Sequence, residues 1–492
     1  GEAGPGGAFR HLLDRLGLED VAFCELDPDG FDRYSFPDFE VKNCVGLERF
    51  RDRIADAVPK ERDNLHRFFQ VVQDLDLVIT KAPRIRSLGD AGPVLRSVPS
   101  VARWVRATLG QMLDHYFTDP RVKAAIAGPV GDLGLPPSKL SAIMHLGLLA
   151  HYSRGAFFPS GGSGPLRDAF VAALSDCGAT LKRNARVKSI LHEHGRTTGV
   201  QLTDGTVFEA RTVISNAQAN LTYEMVGIEH LRPRLQKKLR TTEQSIGSIV
   251  VFAGVDGDLD TSAVGSSNVW SYEDLDIDKA FGDAAMGDYR QCGSFFLTVP
   301  TNKDPNGGLA PEGKQTVELV TLCNSEPFAK WFGTKTKRRG DEYEQLKQDI
   351  GDFYLERAER VLPGLRDHLE FRDVATPATN VTYASAVDGN IYGPAHGPGQ
   401  VFPFRFMPKA PLDGLFLCGA SAMSAGVVPC AGSGRDAGKL ALKRLDHTSP
   451  SWLGRVRERV APRIVGSKKP EVGEEAVGAL PRRPEGDASI PL

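Results

Sequence analysis

Residues 411–445 read PLDGLFLCGASAMSAGVVPCAGSGRDAGKLALKRL, and this stretch predicts a strand, a loop and a helix. An apolar run at residues 415–417 stops at Cys418-Gly419-Ala420, where small side chains let another group approach the backbone closely. A helix is expected to begin at Val427-Val428-Pro429, because a first helical turn tolerates the missing N–H of proline. Its free amides and positive dipole end favour an electron-rich ligand above the strand, although a buried turn without a ligand explains this stretch equally well.

Residues 432–437, GSGRDA, fit the G-x-G-x-x-G/A dinucleotide pattern. That pattern requires an immediately preceding strand, and a second strand that ends in an acidic residue about 20 residues later. The sequence offers neither, so these glycines are predicted to serve close packing of a helix.

The composition is that of an ordinary soluble protein, with 492 residues, 41% hydrophobic and 25% charged, which is enough for two or three domains. A formal net charge of −2 argues against general nucleic-acid binding. No apolar run approaches the ~20 residues of a membrane span, so any membrane contact is expected to be peripheral. The seven cysteines form no C-x-x-C pair, which favours a reduced intracellular compartment, cytoplasmic or organellar, without a disulfide or metal framework.

The stretch 411–445 resembles the carboxy-terminal flavin motif of the phytoene desaturase, carotenoid isomerase and retinol saturase family. Other segments share the resemblance: LDPDGFD at 26–32 with FPD at 36–38, FPSGGSGPL at 158–166, GVQLTDG at 199–205, TVISNA at 212–217 and DGNIYG at 388–393. The resemblance implies an α/β fold in which an FAD-binding Rossmann-like domain of the amine-oxidase type is interleaved with a mixed-sheet substrate domain and a helical subdomain.

The resemblance also implies the cofactor site. The implied flavin neighbours are Gly419, Ala420, Gly426, Val427, Val428 and Pro429. Val187 would meet the adenine through its backbone, and Gly161 and Gly162 would keep the approach to the cofactor open. The residues expected near the flavin by resemblance alone are Asp388, Gly389, Tyr392 and Gly393.

The expected FAD-binding domain comprises residues 1–45, 159–218 and 386–446. A helical lid is expected at 46–158, a substrate-binding sheet domain at 219–385 and a basic, disordered tail at 447–492. Members of the resembled family begin with a βαβ unit that holds the FAD pyrophosphate, and this sequence is expected to start after that unit.

Local patterns predict several elements. Residues 18–44 read as a hairpin around the turn at 27–30, and Asp204-Gly205 marks a second hairpin. Strands are expected at 248–255, 293–299 and 316–323, and an amphipathic helix at 342–361. Four aromatic side chains could line an apolar pocket, although ordinary core packing is the safer expectation for each: Phe295, Phe296, Phe328 and Trp331. His145 and His151 are expected to pack or to form hydrogen bonds.

We therefore expect an FAD-dependent oxidoreductase that transfers a hydride between flavin and a long apolar conjugated isoprenoid, with NAD(P) as a second candidate cofactor. Desaturation, saturation and isomerisation through transient reduction are the three implied reactions. The sequence nominates no catalytic base and leaves the oligomeric state open. A nucleophilic hydrolase is a weak alternative, because neither residues 161–165 nor 419–423 complete a G-x-S-x-G elbow. A flavin-free binding or scaffold protein that retains the fold is the stronger alternative.

Overall fold

The computed structural model describes residues 2–82, 88–336 and 338–448. The α-helices are α1 (Ala8–Arg15), α2 (Leu47–Ala57), α3 (Arg62–Lys81), α4 (Leu88–Ala102), α5 (Leu109–Tyr116), α6 (Pro120–Ala127), α7 (Ala142–Tyr152), α8 (Ser163–Asp176), α9 (Ala219–Val226), α10 (Pro233–Thr241), α11 (Ile277–Ala285), α12 (Pro300–Lys303), α13 (Asp341–Ala358), α14 (Pro377–Ala384) and α15 (Val427–Thr448). The strands are β1 (Phe23–Glu25), β2 (Asp32–Phe36), β3 (Phe39–Asn43), β4 (Phe157–Pro159), β5 (Val187–Glu193), β6 (Arg196–Leu202), β7 (Val207–Glu209), β8 (Val213–Ser215), β9 (Gly247–Asp256), β10 (Asn268–Ser271), β11 (Phe295–Thr298), β12 (Lys314–Cys323), β13 (Leu369–Ala375) and β14 (Leu415–Leu417).

One mixed sheet has seven strands, in the order β13-β9-β12-β11-β10-β2-β3. β10 and β2 run parallel, and the other neighbours are antiparallel. Because side chains alternate along a strand, Ile249 and Val251 pack in the core beneath α13, whereas Val250 lines a cavity on the opposite face. The predicted strands 248–255, 293–299 and 316–323 and the predicted helix at 342–361 are confirmed.

The hairpin predicted around residues 27–30 is wrong. A turn does form there, with the Gly30 amide donating to the Asp27 carbonyl oxygen at 3.1 Å, but it connects β1 to a different sheet. β1 pairs with β4, and the true hairpin is β2–β3. Turn chemistry is local, whereas the partner of β1 lies more than a hundred residues away, so the sequence pattern did not reveal it. β2 and β3 also belong to the seven-stranded sheet. The end of the FAD-binding segment expected at residue 45 therefore does not coincide with a boundary between sheets.

A helical region built from α2, α3, α5, α6 and α7 covers the β2–β3 end of that sheet. The residues of α3 that face this core are Leu65, Phe68, Phe69, Val71, Val72 and Leu75, all buried. His145 of α7 is also buried, and its Nε2 lies 2.8 Å from the Ile126 carbonyl oxygen, as expected of a hydrogen-bonding histidine.

The predicted strand, loop and helix at 411–445 are confirmed as β14 and α15. β14 runs parallel to β8, while α9 and α10 contribute to one apolar cluster around them and Ala437 and Ala441 of α15 pack on Phe416. Residues 432–437 lie inside α15, which agrees with their reading as helix-packing residues. The Asp204-Gly205 turn joins β6 to β7, as predicted.

None of the helices within the described ranges combines the length and hydropathy that crossing a lipid bilayer requires. Of the tail predicted at 447–492, residues 447 and 448 end α15 and the rest lies outside the described residues. The remaining domain boundaries stay predictions.

The buried carboxylate of Glu61, in the connection between α2 and α3, accepts hydrogen bonds from the residues that precede α6. Oε1 accepts hydrogen bonds from the Thr118 amide at 2.8 Å and from the Asp119 amide at 3.0 Å. Burial alone would raise the pKa of Glu61, but the hydrogen bonds from Asn64, Thr118 and Asp119 outweigh it and lower that pKa to about 2.

We expect Glu61→Gln to lower the free energy of unfolding by about 2 kcal/mol at pH 7, because buried hydrogen bonds to a charged acceptor weaken. The depressed pKa contributes stability that is present above about pH 4.5 and is lost as the pH falls towards 2, so the difference from wild type should shrink over that window. Thermal unfolding at pH 7 and pH 3 measures this, with the exposed Glu19→Gln as the control. Equal destabilisation at both pH values would contradict the assigned role.

Candidate functional site

The carboxyl ends of the parallel strands β8 and β14 face the loop of residues 418–426, which we call the β14–α15 loop. The Cys418 amide continues the pairing by donating to the Ser215 carbonyl oxygen at 2.9 Å. The next amide, of Gly419, donates to the buried Ser433 hydroxyl at 2.9 Å, which fixes the loop on α15. Gly419 has φ +80°, and a Cβ there would lie 1.9 Å from Asn216 Oδ1, so only glycine fits. Crevices outside such strand ends are common ligand sites in α/β proteins.

The front of the loop is open and apolar. A Cβ added at Gly426, whose φ is +102°, meets nothing closer than the Pro429 ring at 3.6 Å. Met423 is exposed, and Val427 is 63% exposed at the first turn of α15. The first amides of a helix lack intrahelical acceptors, so this turn presents N–H groups beside apolar surface. A planar, electron-rich ring would accept hydrogen bonds from these N–H groups and pack against the apolar surface.

Two predicted flavin neighbours, Ala420 and Val428, make contacts with other residues of the chain. The Ala420 carbonyl oxygen accepts a hydrogen bond from Arg405 at 2.7 Å. The Val428 side chain packs into an apolar cluster with Phe9 and Leu13 of α1 and with Phe170 of α8. Only the backbone of Val428 is therefore available to a ligand in front of the loop, and its assignment stays a prediction.

The predicted 388–393 segment reaches the loop through its last residue. A Cβ at Gly393 would lie 3.8 Å from Ala420 Cβ, and the Gly393 amide donates to the buried Asn390 side chain at 2.6 Å. The structure places Gly389 against Pro377 instead and leaves Asp388 exposed, with φ 53°. Tyr392 points the other way, into the cavity described below.

Gly161, Gly162 and Val187 have their contacts in other parts of the fold. Gly161 and Gly162 precede α8; the Gly161 amide donates to Asp304 Oδ2 at 2.8 Å, and a Cβ at Gly162 would lie 3.3 Å from Leu309 Cδ2. Val187 begins β5 and pairs with Leu202. Their roles towards the adenine half of a cofactor stay predictions.

A cavity of about 290 Å³ lies between the seven-stranded sheet and the helical region. Its walls are mostly apolar and aromatic; they comprise Gly131, Asp132, Val250, Trp270, Tyr272, Ala280, Phe281, Cys292, Ser294, Phe295, Phe296, Val320, Thr321, Leu322, Ile391 and Tyr392. Phe295 and Phe296 thus line a pocket as predicted, and the rings of Trp270 and Phe296 meet edge to face at 4.9 Å. Phe328 and Trp331 do not: they are buried in the core beneath α13.

The cavity and the β14–α15 loop adjoin each other along the chain. Ile391 and Tyr392 form part of the cavity wall, and Gly393 touches the loop. A ligand held in the cavity is therefore separated from the loop region by a single short segment.

His396, which the sequence analysis did not select, connects the turn at residues 128–133 beside the cavity to the β14–α15 loop. The imidazole is fully buried; Nδ1 lies 3.3 Å from the Leu133 carbonyl oxygen, while Nε2 lies 3.3 Å from Ser424 Oγ and 3.4 Å from the Ala425 amide. A carbonyl oxygen can only accept, so Nδ1 carries the proton and Nε2 accepts from the loop. Burial first, and then the charge of Arg405, lower the pKa of His396 to about 3, which keeps the ring neutral.

Arg405 is a second residue that the sequence analysis missed. Its guanidinium is 2% exposed and donates to the carbonyl oxygens of Ala395, Gln400 and Ala420. No carboxylate within the described ranges lies at ion-pair distance from it. Burial lowers the pKa of Arg405 to about 10, so it stays charged behind the loop at neutral pH.

These observations fit a flavin at the β14–α15 loop. The open position at Gly426, the exposed apolar Val427 and the helix amides would hold the ring system, and the buried cation of Arg405 lies behind Ala420. When bound, a flavin supplies hydride chemistry that side chains cannot. Within the described residues, no group of histidine, cysteine or acidic side chains could hold a metal ion.

Comparison with known proteins identifies the family. The sequence-family model described as flavin-containing amine oxidoreductase matches residues 5–437. An all-trans-retinol 13,14-reductase of Danio rerio is 25% identical over 423 residues, which are 82% of this chain and 70% of that protein. The human protein of that name is 23% identical, over 78% of this chain and 66% of its own length. A chloroplastic prolycopene isomerase of Arabidopsis thaliana is 28% identical, over 68% and 54%. The chain thus spans between about half and 70% of the length of these relatives.

Solved structures share the fold. An oxidoreductase from Methanosarcina mazei aligns with a TM-score of 0.55 at 15% identity, over 86% of this chain and 84% of its own. Cyclohexylamine oxidase from Brevibacterium oxydans also aligns with a TM-score of 0.55, at 14% identity, over 89% and 86%. The predicted α/β fold of the amine-oxidase type is confirmed. The chain belongs to the flavin-containing amine oxidoreductase family, and it is an FAD-dependent oxidoreductase.

Proposed function

We propose that this enzyme transfers a hydride between flavin and a long apolar conjugated isoprenoid of the retinoid or carotenoid class. The relatives named as a retinol reductase and a prolycopene isomerase support this substrate class. The observation that carries the proposal is the apolar, aromatic-lined cavity that adjoins the β14–α15 loop through residues 391–393. Saturation, desaturation and redox-neutral isomerisation are the three reactions that this arrangement serves.

The residues of the chain bind and orient the substrate. The faces of Trp270 and Phe296 offer flat apolar surface to a conjugated chain, and the cavity excludes water from it. Ile391 and Tyr392 line the cavity, and the next residue, Gly393, lies against the loop. His396 holds the loop to the wall formed by residues 128–133, so it fixes the distance between the two binding regions.

The cellular location of the enzyme is part of the proposal. All seven cysteines are unpaired, which supports a reduced compartment, cytoplasmic or organellar. A peripheral membrane contact suits an apolar substrate. The basic tail expected at 447–492 lies outside the described residues from residue 449 onwards.

The direct test is purification followed by an absorbance scan and an assay. We expect visible flavin bands, and conversion of all-trans-retinol or prolycopene by the flavin-loaded protein. A protein that binds either polyene but never carries flavin would support the flavin-free alternative. Flavin without turnover of any polyene would contradict the proposed substrate class.

Gly426→Leu should place a side chain in the open space in front of α15. We expect folded protein whose flavin content falls several-fold, measured by absorbance after gel filtration. Leucine at positive φ also costs about 1–2 kcal/mol of strain, wherever it is introduced. Gly205→Leu, in the exposed β6–β7 turn at φ +89°, matches that strain and should retain flavin. Equal flavin content in both variants would contradict the placement of the cofactor.

His396→Leu should loosen the loop without removing any proposed flavin contact. Losing the hydrogen bonds at both ring nitrogens, at about 1 kcal/mol for each nitrogen, predicts flavin binding that is weaker by up to roughly 30-fold, measured by the recovery of flavin fluorescence on dilution. His145→Leu removes a comparable buried hydrogen bond in the helical region and should leave flavin affinity unchanged. Equal affinities in the two variants would show that His396 does not position the loop.

A further inference from the structure

We propose that Asp132 is the proton donor and acceptor of the substrate cavity, exchanging a proton with one alkene carbon while bound flavin exchanges the hydride with its neighbour. This inference rests on the proposed function. It concerns a residue that neither the motifs nor the comparisons single out.

The position of Asp132 carries the inference. Asp132 lies in the 3-10 turn Gly128–Leu133, and it provides the one carboxyl among the residues that line the cavity in the described part of the chain. Most of the other lining residues are apolar or aromatic, and one of them is Tyr392, which precedes Gly393 at the β14–α15 loop. A carboxyl at this place would contact a substrate held in the cavity.

The surroundings of Asp132 contain acids and phenols, not cations. The Tyr152 hydroxyl of α7 donates to Asp132 Oδ2, and the other titratable groups that face this carboxyl are Asp32 and Tyr34 of β2, Tyr272 directly after β10, and Tyr392. Lys303 bonds to Asn268, the partner of Asp32, and not to Asp132. No ion pair to Asp132 is present in the described ranges.

This environment sets the protonation state. Burial first, and then the charge of Asp32, raise the pKa of Asp132 to about 7, and burial raises the pKa of Asp32 to about 6. A carboxyl whose pKa lies near neutrality can both give and take a proton. If Asp132 only anchored Tyr152, a neutral amide would serve and would avoid the cost of burying a charge.

The proposed step balances for saturation of a carbon–carbon double bond. The Asp132 carboxyl gives its proton to one alkene carbon, and a bound two-electron-reduced flavin would supply the hydride to the other and be oxidised. The π bond would break as two C–H bonds form, and the Asp132 carboxylate would regain a proton from solvent. Desaturation is the reverse, with the Asp132 carboxylate taking the proton. Isomerisation uses both directions in turn.

Infrared spectroscopy of the flavin-loaded protein between about pH 5 and pH 9 tests the carboxyl without requiring turnover. We expect wild type to show a carbonyl stretch of a protonated carboxyl that Asp132→Asn lacks; this difference band should vanish with a midpoint near pH 7 and shift when all-trans-retinol is added. The band of Asp32 should remain in Asp132→Asn, and Asp32→Asn should move the midpoint of the Asp132 band to lower pH, because it removes the neighbouring negative charge. Identical carboxyl bands in wild type and Asp132→Asn, or a difference band that retinol does not shift, would overturn the proposal.

Turnover in D2O tests the proton transfer itself. Wild-type protein should place solvent deuterium in reduced retinol at a rate that falls as the pH rises through about 7, because the donor is then ionised. Asp132→Asn should react on the order of 100-fold more slowly, or more slowly still, at unchanged flavin content. Its rate should no longer fall as the pH rises through about 7. Equal rates in both proteins would refute the role of Asp132. Absence of turnover in wild type would refute the proposed substrate instead, and the infrared result would still decide whether Asp132 meets a bound polyene.

Discussion

The imidazole of His396 holds the β14–α15 loop to the helical region, and the arrangement of cofactor and substrate regions depends on it. Its Nδ1–H donates to Leu133, which ends the turn that carries Asp132, and its Nε2 accepts from Ala425, just before α15. The bond that Nε2 accepts requires the neutral ring, whereas Nδ1–H can donate in either charge state, and the lowered pKa of His396 keeps the ring neutral over the whole physiological range. One buried side chain thus sets the spacing of two binding regions that belong to distant parts of the sequence.

The buried charges are divided between the two ends of the site. On the cavity side, Asp132 and Asp32 have raised pKa values and are readily protonated, so the region around an apolar substrate carries little charge. Behind the loop, Arg405 stays cationic and has only carbonyl oxygens as its recorded partners. A buried cation beside the amino end of α15 favours electron-rich ligands there. This polarity suits a reaction that moves negative charge between a flavin and a polyene.

Sequence patterns predicted what local chemistry determines. The strand, loop and helix at 411–445 and the Asp204-Gly205 hairpin are encoded by apolar runs, proline and turn residues within a few positions of each other. The pairing of β1 and the roles of His396 and Asp132 depend on contacts across more than a hundred residues, and no local period records such contacts. Histidine and aspartate are also common on surfaces, so only burial in the folded chain distinguishes these two. The same limit explains why the sequence left both a pocket and the core open for Phe328 and Trp331: it shows that they are apolar, not whether they face a cavity.

Hydrogen–deuterium exchange measured on the free protein, with FAD, and with all-trans-retinol tests most directly whether the two regions form one site. FAD should protect peptides that cover residues 418–428, and retinol should protect those of β10, β11 and β12. Both ligands should protect residues 391–396, because this segment touches the loop through Gly393 and His396 and the cavity through Tyr392. Protection of residues 391–396 by neither ligand, or by only one of them, would contradict a shared site for flavin and polyene.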